Sequence, residues 1–120
     1  MLWYRKLYFQ GNTPEADQHH WHASPCYAPP SLLAQSPDTL IAIADCDLLA
    51  PEAAQYAASL RQNGVKVETK EYKGAIHILL SLAGAHDIAK DLVHDACEAL
   101  ARALGLKYSW EEAPIFRHGE

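Results

Sequence analysis

Among side chains that can move protons or bind metal, Asp47 and His77 occupy the most informative positions. Asp47 comes just after a continuous apolar run, Thr39-Leu-Ile-Ala-Ile-Ala44, and His77 comes shortly after an alternating stretch, Val65-Lys-Val-Glu-Thr-Lys-Glu-Tyr72. A carboxylate bonded to one imidazole nitrogen fixes the tautomer and stabilises the imidazolium. The other nitrogen is then free to act as a general base. A plainer reading makes Asp47 the cap of a helix and His77 a loop histidine, and spacing alone favours it. A second group, Asp17, His19, His20, His22 and Cys26, crowds one polar stretch. Imidazole and thiolate together suit zinc or copper, but this spacing matches no finger pattern, so the stretch reads as a solvated loop, with a metal binder as the alternative. No metal and no cofactor is assigned.

The remaining titratable groups carry less. His86, His94 and His118 read as helix-surface or tail residues. Cys26, Cys46 and Cys97 are odd in number and lack a CxxC spacing, which argues against a disulfide scaffold and a zinc ribbon. All three are read as structural thiols, with Cys46 in an apolar segment and Cys97 in a helical pattern, where a free cysteine behaves as a small buried hydrophobe.

The elements that must position Asp47 and His77 follow from periodicity. Trp3, Leu7 and the pair Tyr4/Tyr8 repeat at helical spacing before Gly11-Asn12, which predicts a short amphipathic helix. Residues 12–38 carry five prolines and the histidine-rich stretch, the composition of a long irregular connection. Thr39–Ala44 is expected to be a strand buried on both faces, as in a parallel sheet. A helix follows with Pro51 in its first turn, where a missing N–H is harmless, and Asn63-Gly64 ends it. The alternation from Val65 to Tyr72 predicts a half-exposed second strand. From about Ala85 to Leu104, Ile88, Leu92, Ala96, Leu100 and Leu104 recur every four residues as a helical stripe, and Gly105 stops it. Strand–helix–strand–helix is a right-handed βαβ unit with a second helix, so the fold class is α/β with two parallel strands. The chain divides into residues 1–38, 39–105 and a tail, 106–120, whose Trp110, Ile115 and Phe116 either dock on the body or stay mobile. In open parallel sheets, ligand and catalytic groups collect beyond the carboxyl ends of the strands, which is where both Asp47 and His77 fall.

Composition excludes several classes. The chain has 120 residues, 49% hydrophobic and 21% charged, enough for one small core and wrong for a disordered chain. A net charge of −5 argues against a nucleic-acid binder with a broad basic face. No apolar run is long enough for a membrane span and the first residues lack a signal-peptide pattern, so a soluble, cytoplasmic chain is expected.

Specific motifs sharpen this. Asp45-Cys46-Asp47-Leu48-Leu49-Ala50-Pro51-Glu52, then Tyr56-Ala57, Leu60 and Asn63-Gly64-Val65, then Tyr72-Lys73-Gly74-Ala75-Ile76-His77, resemble the C-terminal part of an α/β-hydrolase fold. More narrowly, they are similar to the hormone-sensitive-lipase-like carboxylesterases. Ser24-Pro25 matches a Ser-Pro before that family's penultimate strand. The resemblance covers most of residues 20–104 and implies a partial α/β-hydrolase fold. It makes Asp47 the triad acid, His77 the triad base and Glu52 a structural residue. Pro51 replaces the motif's second aspartate, and Ile78-Leu79 replaces its Gly-Phe, where a β-branched Ile78 restricts the backbone beside His77. The G-x-S-x-G nucleophile elbow and the oxyanion loop have no counterpart in these residues. The expectation is therefore a truncated ester hydrolase that is inactive alone and acts on a small ester only when an N-terminal part completes it. The alternative is a non-catalytic dimerisation or partner-binding module derived from such an enzyme. Either way the apolar edge of Thr39–Ala44 invites a second copy or a complementing subunit. By resemblance, dimers would use Val65–Tyr72 and Ala85–Leu104.

Overall fold

Aromatic residues at helical spacing form α1, Leu2–Tyr8, in the computed structural model, which describes residues 2–9, 14 and 19–111. Asp17, Ile115, Phe116 and His118 lie outside the described residues. Trp3, Leu7 and Tyr8 of α1 are exposed, so the helix forms as expected while these apolar residues face solvent.

The proline-rich connection holds more structure than its composition suggests. A 3₁₀ turn, Pro25–Tyr27, and a one-turn helix, α2 (Pro30–Leu33), interrupt it, and each opens on proline. Proline costs nothing there because the first N–H groups of a helix have no internal partner. Leu33 is buried against Leu60 and Val65, which makes this connection part of the core.

The strand β1 spans Thr39–Ala44 and pairs in parallel with β2, Val67–Tyr72, in the register Thr39↔Val67 through Ala44↔Tyr72. Helix α3, Ala50–Gln62, makes the crossover between them. Gly64, at φ +85°, ends α3 in the left-handed conformation that favours glycine, and the Val65 N–H returns to the Leu60 carbonyl at 3.1 Å. Alternation along the strands sends Ile41 and Val67 to the α3 side, where they pack with Leu60. Arg61 fastens that side by donating to the Val67 carbonyl and to Thr69 Oγ1.

The opposite side carries Glu68, Lys70 and Tyr72, which meet α4, Asp87–Ala103. Arg102 bonds Glu68 at 2.7 Å. Asp95 accepts from both Lys70 Nζ and Tyr72 Oη, the latter at 2.7 Å. Tyr72, Ala75, Leu79 and Ala89 form the second buried cluster, supported by Ile88 and Leu92. Between β2 and α4 a 3₁₀ helix, Leu79–Leu82, turns the chain and buries Leu79.

Several expectations need correction. No residue of β1 is buried and Ala42 is exposed, because the described sheet has two strands and the edge of β1 away from β2 is open. The second strand begins at Val67; Val65 belongs to the turn that closes α3. The apolar stripe of α4 is covered at Ile88 and Leu92, whereas Leu100 and Leu104 are 62% and 63% exposed. His94 is not a surface histidine: its ring lies 5.4 Å from Tyr108 and 5.2 Å from Trp110, so the tail docks on α4 there. Cys46 is exposed, because β1 ends before it and the chain turns outward.

Candidate active site

The two parallel strands deliver Asp47 and His77 to one end of the sheet. After β1 the chain tightens into a turn in which the Asp47 N–H donates to the Ala44 carbonyl and the Ala50 N–H to the Asp47 carbonyl, both at 3.1 Å. Asp47 Oδ1 accepts the Leu49 N–H at 3.0 Å, an aspartate turn that fixes the carboxylate's orientation. Its Oδ2 is then placed 2.7 Å from His77 Nδ1. After β2, Gly74 turns the chain at φ +72° and buried Ala75 anchors the loop in the core. The two loops are also tied directly, because the Cys46 N–H donates to the Ala75 carbonyl at 2.9 Å.

Electrostatics agree with this geometry. The Leu49 N–H, and next the His77 ring, hold the Asp47 carboxyl below the usual carboxylate range, against a smaller opposing push from burial. An ionised Asp47 selects the His77 tautomer with the proton on Nδ1. The Asp47 side chain is 16% exposed and that of His77 67%, so the carboxylate is sheltered while the imidazole faces outward. Ile78 adopts φ −90° and ψ 19°, an unstrained conformation, and its bulk does not prevent the Asp47–His77 contact.

The sequence reading missed what surrounds the pair. Leu48, Ile76, Ile78 and Leu80 are 80%, 47%, 52% and 63% exposed, an apolar set flanking both motif residues. Their signal was present as apolar residues immediately beside Asp47 and His77. Cys46 adds an exposed thiol whose pKa is pushed up by its hydrogen bond to Asp45, which disfavours the thiolate.

The described histidines of the histidine-rich stretch do not gather into a ligand set. Among the described residues no three His, Cys, Asp or Glu groups converge on a possible ion. His19 packs edge-on against Tyr27, and the rings of His20, Trp21 and His22 cluster together, with those of His20 and His22 4.8 Å apart. The Cys26 thiol lies 3.6 Å from Glu52 Oε1, which gives that glutamate a contact between α3 and the 3₁₀ turn. A cavity of about 280 Å³ opens beside this stretch, between Trp21, Leu32, Leu33 and Tyr56. A larger groove of about 580 Å³ lies at the other end of the strands, between Leu40, Lys66, Glu68 and Arg102. Neither of these two cavities includes Asp47 or His77. No helix among the described residues is long and apolar enough to cross a membrane.

Comparison with known proteins places this geometry. A family model described as alpha/beta hydrolase fold matches residues 1–81. An AB hydrolase superfamily protein of Schizosaccharomyces pombe is 33% identical over 103 residues, which cover 86% of this chain and 29% of that protein. Among solved structures, the esterase rPPE is 26% identical with a TM-score of 0.68 over 84% of this chain and 32% of its own. An alpha/beta hydrolase enzyme, LAE6, from the metagenome of Lake Arreo is also 26% identical, with a TM-score of 0.69 over 77% of this chain and 29% of its own. Carboxyl esterase 2 of Tuber melanosporum shares the fold, with a TM-score of 0.70, at 23% identity. The chain belongs to the α/β-hydrolase fold family, and its likeness to the C-terminal part of hormone-sensitive-lipase-like carboxylesterases holds. It spans about a third of the length of these relatives or less.

Proposed function

We propose that this chain supplies the acid and the base of a carboxylic-ester hydrolase, with Asp47 orienting His77, and that the nucleophile comes from polypeptide outside these 120 residues. The observation that carries this reading is the 2.7 Å contact between Asp47 Oδ2 and His77 Nδ1 at the carboxyl ends of two parallel strands. The esterase relatives support the substrate class. In such a site Nε2 takes the proton of an attacking hydroxyl as its oxygen adds to the ester carbonyl. The imidazolium, steadied by Asp47, returns that proton to the departing alcohol. Water then repeats the sequence on the acyl intermediate. The chain alone carries no G-x-S-x-G elbow, so it is expected to be inactive alone.

Two measurements test this. Fluorophosphonate labelling of the purified chain, read by intact mass, should give no adduct; a stoichiometric adduct lost in His77→Ala would place the nucleophile within these residues. A chimera of the Schizosaccharomyces pombe relative, with its matching segment replaced by residues 20–104, tests the roles of the pair. It should hydrolyse p-nitrophenyl acetate and lose about 10²–10⁴ of its kcat in His77→Ala. An active chimera that is indifferent to His77 refutes the assignment.

A second reading, a partner-binding module that has kept the fold without the reaction, draws on the exposed apolar set Leu48, Ile76, Ile78 and Leu80. It is distinguished by a chimera that folds and stays inactive.

A further inference from the structure

Asp45 stands directly after β1, two residues before Asp47, and the proposed reaction gives it no task. Its side chain is 24% exposed, whereas that of Asp38, just before the same strand, is 71% exposed beside Lys66. A carboxylate drawn back from water needs donors in its place. They come from the chain that carries His77. Lys73 Nζ lies 3.8 Å from Asp45 Oδ2. Burial pushes the Asp45 carboxyl up, but hydrogen bonds from the Cys46 thiol and from the Gly74 and Ala75 N–H groups, with the charge of Lys73, outweigh it and hold the carboxyl below its ordinary range. Residues 73–75 are where the chain leaves β2 and turns, at Gly74, toward His77. Two backbone bonds already join the same segments, from the Asp45 N–H to the Tyr72 carbonyl at 3.3 Å and from the Cys46 N–H to the Ala75 carbonyl.

We propose that Asp45 is a positioning residue, whose carboxylate gathers the turn at Lys73, Gly74 and Ala75 and so sets where His77 stands relative to Asp47. The lever is short. Only Cys46 separates Asp45 from Asp47, and only Ile76 separates Ala75 from His77. The Asp45 clamp and the 2.7 Å imidazole–carboxylate contact are therefore successive ties between the same two loops. Their tasks differ: Asp47 selects the tautomer of the ring, and Asp45 holds the loop that brings the ring within reach. A side chain that bonds backbone N–H groups of the neighbouring loop acts on the base without touching a substrate. The consequence for rate rests on the ester-hydrolase reading, whereas the placement of the ring does not.

The His77 ring of the 120-residue chain reads that placement directly. Its ¹⁵N shifts should show one dominant tautomer in the wild type and a move toward a mixture in Asp45→Ala, with unchanged far-UV circular dichroism. Asp45→Asn, which keeps the shape and one acceptor oxygen, should fall between the two, and it carries the test if the alanine variant fails to fold. Asp38→Ala, which removes an exposed carboxylate at the other end of β1, should leave the ring as it is. In an active chimera with the Schizosaccharomyces pombe relative, Asp45→Ala should lower kcat about 10–100-fold with little change in KM. It should cost almost nothing further once Asp47 is asparagine, because it acts through that contact. Wild-type ring shifts in the folded Asp45 variants overturn the proposal, as does an equal change in Asp38→Ala or a kcat loss undiminished beside Asp47→Asn. A ring that responds to Asp45 while the active chimera ignores His77→Ala upholds the positioning role and refutes the hydrolase reading alone.

Discussion

Replacing Asp95 by asparagine tests how the α4 side of the sheet is held. Asp95 sits on α4 with its side chain 17% exposed and accepts from Lys70 Nζ and Tyr72 Oη. Hydrogen bonds to a charged group contribute about 1.5–3 kcal/mol when sheltered, and exposed ion pairs about 0.2–1 kcal/mol. Lys70 is 35% exposed, so its half of the network is discounted, and Tyr72, buried, takes most of the weight. Asparagine keeps the shape and one acceptor, which gives an expected loss of about 2 kcal/mol, a factor of roughly 30 in the folding constant. Urea unfolding at neutral pH reads this as a lower midpoint with unchanged slope. The pH dependence gives an independent check. Burial pushes the Asp95 carboxyl up, but the hydrogen bonds from Lys70 and Tyr72 outweigh it and hold it below the usual carboxylate range. A carboxylate with a depressed folded-state pKa stabilises above its unfolded pKa, near 4, and that stability is lost as pH falls through the folded value. The gap between wild type and Asp95→Asn should therefore close on acidification. A matched control is Asp87→Asn, whose partner is Lys90 but whose side chain is 92% exposed; no measurable change is expected there. A loss below about 0.5 kcal/mol at Asp95, within the range of ordinary surface substitutions, would refute the reasoning. So would a gap that persists through the acid range.

Two further outcomes concern the site and the core. In Asp47→Asn the carboxylate that selects Nδ1–H is gone, so ¹⁵N shifts of the His77 ring should move from one dominant tautomer toward a mixture; unchanged shifts would mean that Asp47 does not orient the ring. Leu60, 1% exposed between α3, α2 and β2, should cost about 2–5 kcal/mol as Leu60→Ala by thermal or urea unfolding, and a cost under 1 kcal/mol would show that the site collapses freely.

Most of what positions the pair is carried by local signals. Thr39–Ala44 is apolar throughout and bounded by polar residues, and the strand occupies those same six residues. Pro51 and Asn63-Gly64 bracket α3 because each suits one helix end and disfavours the interior. Asp47 and His77 were legible as neighbours because a parallel register brings together whatever follows adjacent strands, while a joint role for them came only from the resemblance of the flanking motifs. Burial was harder to read. A six-residue apolar run looks alike whether it is covered on both sides or left open at an edge, and here the covering elements set the outcome. The i, i+4 stripe of α4 marked the right helix while overstating its buried face. The helix turns Asp95 and Arg102 toward Lys70, Tyr72 and Glu68, and leaves Leu100 and Leu104 outside. His94 was misread because its ring partners, Tyr108 and Trp110, lie beyond Gly105, in a segment with no periodicity to announce where it folds back.

The pairing of Ala44 with Tyr72 has a consequence for how the site fails. Asp47 and His77 stand at fixed offsets beyond that last matched pair, and the Cys46–Ala75 bond prevents the loops from adjusting independently. A slip of β2 by one residue would carry His77 about 3.3 Å along the strand axis and turn the side chains of β2 to the opposite face. The 2.7 Å contact would not survive that displacement. The imidazole–carboxylate bond is therefore a gauge of sheet alignment, and its loss in a variant that keeps its helices would report mispaired strands rather than a damaged side chain.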